Sequence, residues 1–156
     1  MPGGPGAPPP DPEPETEPGV EEIHGTAVAV DGAGLLMVGP SGSGKSALAV
    51  EMMALGAGLV ADDRVEVRPG SPPVLAAPAR WPGLVEVRGL GLLRVAGSGP
   101  VPCHAVLDLG AKARGRLPEQ GTAPLGGTEV TWLRWGEGRP FAAALMLYLR
   151  CNCERG

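Results

Sequence analysis

Gly39, Pro40, Ser41, Gly42, Ser43, Gly44, Lys45 and Ser46 carry the densest chemistry in the chain, because they fit G-x-x-x-x-G-K-[ST]. Gly42 and Gly44 let the backbone curl so that successive N–H groups point inward at phosphate oxygens. Lys45 supplies a point charge suited to β- and γ-phosphates, and the Ser46 hydroxyl suits Mg²⁺. A helix opening at Lys45 would turn its positive dipole end toward the same cavity. These residue types in this order read as a nucleotide-binding site. Further along, Leu59-Val60-Ala61 runs into Asp62-Asp63, with Asp62 seventeen residues beyond Lys45. A carboxylate delivered beside phosphates can hold Mg²⁺ or take a proton. On a strand the two neighbours would point to opposite faces, so one of them is expected to face the phosphates.

The elements that must position these groups are legible on either side. Leu35-Leu36-Met37-Val38 is a short apolar run, as a buried parallel strand would have. After the loop, Ala47, Leu48, Val50, Met52, Met53 and Leu55 surround the polar Glu51, and Gly56 offers a helix stop. The strand ending in Asp62-Asp63 is expected beside the strand that enters the loop. Glu22 to Asp31 alternates as a strand, with Asp31-Gly32 as a hairpin turn. Arg64 to Arg68, Val74 to Ala77, Leu84 to Arg88, Ala105 to Leu109 and Thr128 to Trp135 read as further strands, and Phe141 to Tyr148 as a closing helix. Five prolines within residues 69–83 break any long element there.

Other residues are chemically suggestive without being decisive. His24 sits on the first strand, where a lone histidine is usually a half-buried packing residue. Glu86 could give a second carboxylate to a metal–phosphate site, and Arg88, pointing the same way, could pair it or a phosphate oxygen. Ala105 to Leu109 holds Asp108 and competes with Asp62 for the metal-side carboxylate, since that motif is only an apolar run closed by Asp.

His24-Gly25, GPSGSGKS, LVADDRVEV and the run Val85 to Gly91 (VEVRGLG) together resemble the catalytic domain of the bacterial HPr kinase/phosphorylase family. The resemblance covers about residues 21 to 120, and more loosely to 150. It implies an α/β P-loop fold with a mixed, strand-rich sheet and few helices, in a short single-domain form over residues 21–152. It implies an ATP- and Mg²⁺-dependent serine kinase acting on the phosphocarrier protein HPr. Asp62 would then be the proton acceptor, His24 an active-site residue that tunes it, and Ser46 and Glu86 the magnesium ligands. An active-site arginine is implied near residues 114–119; Arg116 matches best and Arg114 competes. The Pro-Gly-Arg-Asn-type loop tied to phosphate removal has no counterpart beyond Gly138-Arg139-Pro140, so kinase activity is implied more firmly than phosphorylase activity. A kinase of another protein or small-molecule acceptor, and a non-catalytic nucleotide-sensing module, are the competing readings.

Composition bounds the rest. Residues 1–19 hold eight of the nineteen prolines and four glycines, and residues 1–20 are expected to form a disordered tail. That tail has no basic segment followed by an apolar one, so no secretory signal is expected. Nor does any later stretch reach the apolar length of a membrane span. Of the net charge of −4, six acids fall in residues 1–22; the remaining eleven acids face thirteen bases. Such a near-neutral, dispersed balance gives no argument for nucleic acid. Cys103, Cys151 and Cys153 suit reduced thiols in a cytoplasmic protein, and no cysteine metal site is expected. A homo-oligomer is compatible with all of this.

Overall fold

The computed structural model describes residues 18–110, 119–135 and 138–152. The expected tail over 1–20 falls, for its first seventeen residues, outside the described residues, as do Arg114, Arg116 and Cys153.

Eleven strands and two helices follow one another along the described chain. They are β1 (Glu21–His24), β2 (Thr26–Val30), β3 (Ala33–Val38), α1 (Lys45–Ala54), β4 (Gly58–Ala61), β5 (Arg64–Arg68), β6 (Val74–Ala76), β7 (Leu84–Val87), β8 (Gly91–Arg94), β9 (Val101–Asp108), β10 (Glu119–Leu125), β11 (Thr128–Arg134) and α2 (Ala142–Asn152). The main sheet runs β1-β5-β6-β9-β3-β2-β4, and β11 adds parallel to β9 with β10 at its side. β7 and β8 form a separate antiparallel hairpin. This is the mixed, strand-rich α/β fold with few helices that the sequence implies.

Strand β3 explains why its run is apolar throughout. Leu35 and Met37 face α1 and α2, joining Leu48, Ala49, Met52, Leu145, Met146 and Leu149 in one cluster. Leu36 faces the other way, with Val60, Val65, Val67, Leu75 and Val106. Both faces are covered, so five of the six residues of β3 are buried rather than every second one. Parallel pairing with β9 on one side and antiparallel pairing with β2 on the other satisfies both edges.

Local chemistry sets the boundaries. Asp31 and Gly32 have φ of 49° and 80°, the double positive φ that a tight right-twisted hairpin needs. Helix α1 ends where Gly56 stands at φ 111°. There the Gly56 N–H donates to the Met53 carbonyl and the Ala57 N–H to Met52, a Schellman closure. The alternation from Glu22 to Asp31 proves to be two strands meeting at Gly25. β1 pairs with β5, whereas β2 pairs with β3 and β4. A side chain at Gly25 would lie 2.7 Å from the Met37 carbonyl oxygen, so only glycine passes there.

Two expectations are corrected. β4 does not neighbour β3: β2 lies between them, and the parallel neighbour of β3 is β9. Strand β10 lies partly where a loop was expected. Gly121 and Pro124 are poor strand formers, and the element is held by its seven-residue antiparallel register with β11.

Candidate active site

The turn after β3 forms from the backbone. The Ser43 N–H donates to the Pro40 carbonyl at 3.1 Å, and the Leu48 N–H makes the first helical bond to Gly44 at 3.0 Å. Gly42 and Gly44 have φ of 85° and 101°, and neither has an atom within 4 Å of where a Cβ would stand. These glycines therefore serve backbone shape rather than close packing. Gly44 caps α1 without a side-chain bond, which leaves the first amides of the helix aimed outward. The Ser43 Oγ is buried without a hydrogen-bond partner.

Lys45 is buried, and its Nζ donates to the carbonyls of Gly39 at 2.6 Å and Pro40 at 3.1 Å. Desolvation lowers its pKa from the usual lysine value, partly opposed by the charges of Asp62 and Asp63. Next to it, the Ser46 hydroxyl donates to Asp62 Oδ1 at 2.8 Å. The fully buried Thr26 donates to the same oxygen at 2.8 Å. Asp62 thus sits one residue past β4, fixed by hydroxyls from α1 and from β2, the strand that separates β4 from β3. Among the described residues no donor reaches its Oδ2.

Asp63 does not turn away as strand alternation predicts. It lies beyond the end of β4 at φ 69°, a left-handed conformation uncommon outside glycine. Its carboxylate meets His24 Nδ1 at 3.4 Å, and its carbonyl accepts the Gly25 N–H at 3.1 Å. His24, Asp62, Asp63 and Arg64 consequently border one cavity of about 1290 Å³.

That cavity gathers most of the expected residues. The loop from Ser41 to Ser46, His24, Asp62, Glu86 and Arg88 all line it. Gly39 and Pro40 contribute through the carbonyls that hold Lys45. Glu86 and Arg88 come from the β7–β8 hairpin and its turn, with Val85 of β7 buried in the core. Among the described residues, however, no three His, Cys, Asp or Glu side chains converge as a ready-made metal site. Asp108 stands apart. It accepts the Gly110 N–H at 2.8 Å and the Trp132 indole N–H at 3.3 Å, and borders a separate cavity of about 330 Å³ with Glu119 and Arg134. The parallel neighbour of β3 therefore does not bring its carboxylate into the large cavity.

Two site residues lay beyond the reach of sequence reasoning. Thr26 carries no signal, because a threonine on a strand is ordinary. Arg64 looked like the first residue of an alternating strand, and only the left-handed turn at Asp63 brings it to the cavity.

A divalent cation fits this arrangement. The Ser46 and Asp62 oxygens are adjacent hard donors, the type Mg²⁺ takes, and Mg²⁺ completes its shell with water and phosphate. An anion fits the turn, where unpaired amides, a buried lysine and the orphaned Ser43 hydroxyl meet. No described helix is long and apolar enough to cross a membrane.

Comparison with known proteins agrees with this construction. The family model for the HPr Serine kinase C-terminal domain matches residues 19–99. An HPr kinase/phosphorylase of Bordetella pertussis is 48% identical over 75 residues, covering 47% of this chain and 24% of the relative. One from Levilactobacillus brevis is 40% identical over 94 residues, covering 57% of this chain and 30% of the relative. The chain thus spans less than a third of the length of these curated relatives. The solved Hpr(Ser) kinase/phosphatase of Coxiella burnetii shares the fold, with a TM-score of 0.71 at 18% identity over 86% of this chain and 92% of that one. The matched segment holds His24, the glycine-rich turn, Asp62-Asp63 and VEVRGLG, so more than half of the chain, including its whole large cavity apart from Arg139, falls within one family: this chain belongs to the HPr Serine kinase C-terminal domain family.

Proposed function

We propose that the protein is a cytoplasmic serine kinase that moves the γ-phosphoryl group of ATP onto the phosphocarrier protein HPr, with Mg²⁺ as cofactor. The observation that carries this reading is the convergence of Ser46 and Thr26 on Asp62 Oδ1 beside Lys45. One carboxylate oxygen is occupied by two hydroxyl donors, which leaves Oδ2 to accept the proton of an incoming serine. The serine oxygen bonds to the γ-phosphorus as the bond to the β–γ bridging oxygen breaks, ADP departs, and the proton passes to Asp62. Catalysis of this kind is positioning plus charge stabilisation, which a rigid turn and a buried lysine supply.

Lys45 and the turn amides would hold the phosphates. Ser46 and Glu86 would hold Mg²⁺, which when bound neutralises charge on the β- and γ-oxygens. His24, paired with Asp63, would orient the base side of the site. An arginine of residues 114–116 would complete the stabilisation of the moving phosphoryl group. The relatives' names pair the kinase with a phosphorylase; the forward transfer is the activity proposed.

Labelled ATP, purified protein and HPr from the same source test the proposal. Label on HPr supports it. Label that appears instead on another protein or on a small molecule identifies a different acceptor, and nucleotide binding without any transfer makes the chain a nucleotide-sensing module.

A further inference from the structure

We propose that Arg64 is the acceptor-recognition residue of this site, pairing with an acidic side chain of the protein that receives the phosphoryl group. The proposal rests on the kinase reading above and names the chemistry the acceptor must bring. The left-handed turn at Asp63 breaks strand alternation, so Asp62, Asp63 and Arg64 border the cavity one after another. Non-glycine residues hold such a conformation where surrounding structure enforces it, and such positions cluster at functional sites. Here the enforcing contacts are the Gly25 N–H on the Asp63 carbonyl, the Arg64 N–H on the Asp62 carbonyl and the His24–Asp63 pair.

Of the four other cations of the cavity, three have partners among the described residues and Arg88 has none there. Lys45 is held by the turn, Arg80 pairs with Glu22, and Arg139 pairs with Glu51 at 3.6 Å. Arg88 stands on the hairpin that also brings Glu86. The exposed Arg64 side chain meets no carboxylate among the described residues, although β5 neighbours Glu66 and Arg68 pair with each other. Phosphates belong to the turn at one side of Asp62, and the acceptor hydroxyl must approach the free oxygen of that carboxylate. Arg64, two residues on and directly across the β1–β5 ladder from His24, lines the same cavity as that carboxylate. A cavity of about 1290 Å³ exceeds the roughly 300–1,000 Å³ usual for a single small ligand, which leaves room for an acceptor segment beside a nucleotide. A planar guanidinium with five donors there suits a carboxylate on that segment.

The test uses HPr as probe, with the protein loaded with Mg²⁺ and a non-hydrolysable ATP analogue for binding, and with ATP for turnover. Arg64→Ala should weaken HPr binding and raise the KM for HPr about tenfold, the scale of one charge-assisted hydrogen-bonded pair. Stabilisation of the fold by the nucleotide should be unchanged. The salt dependence of HPr binding should flatten, Arg64→Lys should recover part of the loss, and Arg64→Glu should be rescued by replacing one HPr carboxylate with lysine. An unchanged affinity and salt slope for HPr, or a loss of nucleotide stabilisation in Arg64→Ala, would overturn the proposal. Arg64-dependent HPr binding without phosphoryl transfer would sustain the recognition role and remove the kinase reading instead.

Discussion

Ser46 and Asp62 are sixteen residues apart in sequence and share a hydrogen bond of 2.8 Å, although a whole strand separates β4 from the strand that enters the turn. Thr26 on that intervening strand closes the gap by donating to the same oxygen. The carboxylate is therefore set by three elements at once, and among the described residues no donor reaches its second oxygen.

Thr26→Val tests that setting directly. Valine keeps the shape and the strand preference but removes the hydroxyl, so the fold should survive while Asp62 loses one of its two donors. Phosphoryl transfer should fall between about 10- and 100-fold, the scale of a small misplacement of a reacting group. Thr26→Ser should recover most of it, which a purely packing role for Thr26 would not produce. Single-turnover kinetics with each variant measures the difference.

Lys45→Met should uncouple stability from binding. Burial lowers the Lys45 pKa, so between its folded value and the usual 10.5 the unfolded chain holds the proton that the folded chain has released. Stability from this group therefore rises with pH across that alkaline window, and at neutral pH the charged form carries its desolvation cost. Methionine removes both the cost and the slope. The variant without ligand should melt at or above the wild-type temperature near neutral pH, and should gain no stabilisation from Mg-ATP. Melting curves across pH, with and without nucleotide, check both halves.

Gly25→Ala should destabilise without touching any reacting group. Its Cβ would come within 2.7 Å of the Met37 carbonyl oxygen, and neither strand can yield without disturbing the β2–β3 ladder. A cost of about 1–3 kcal/mol, typical of overpacking, should appear as a lower urea midpoint. An unchanged midpoint would show that the corner between β1 and β2 is looser than this geometry implies.

The three aspartates should rank in a fixed order. Asp62→Asn should leave ATP binding and lower transfer by roughly 10²–10⁴-fold, the usual worth of a general base. Asp63→Asn should be milder, disturbing only the contact to His24. Asp108→Asn should be mildest in turnover, since Asp108 serves Gly110 and Trp132 outside the large cavity. If Asp108→Asn is the inactive variant and Asp62→Asn is not, the assignment of the base is wrong.

Much of this arrangement was legible in the sequence because its signals are local. The apolar run of β3, the glycine spacing of the turn, the helix stop at Gly56 and the hairpin at Asp31-Gly32 each depend on a few adjacent residues. Relations that depend on topology were not legible. Sequence spacing cannot say that β2 inserts between β3 and β4, and it therefore cannot single out Thr26. Nor can period-2 alternation foresee the left-handed Asp63, whose conformation is held by Gly25 across the sheet. β10 escaped because its glycine and proline argue against a strand, and only its partner β11 overrides them.

The most direct measurement is phosphopeptide mapping of HPr after incubation with the purified protein, ATP and Mg²⁺. The account predicts one phosphate on an HPr serine, dependent on Mg²⁺ and lost in Asp62→Asn, while that variant is still stabilised by ATP. A wild-type protein that binds Mg-ATP yet leaves every HPr serine unmodified would contradict it.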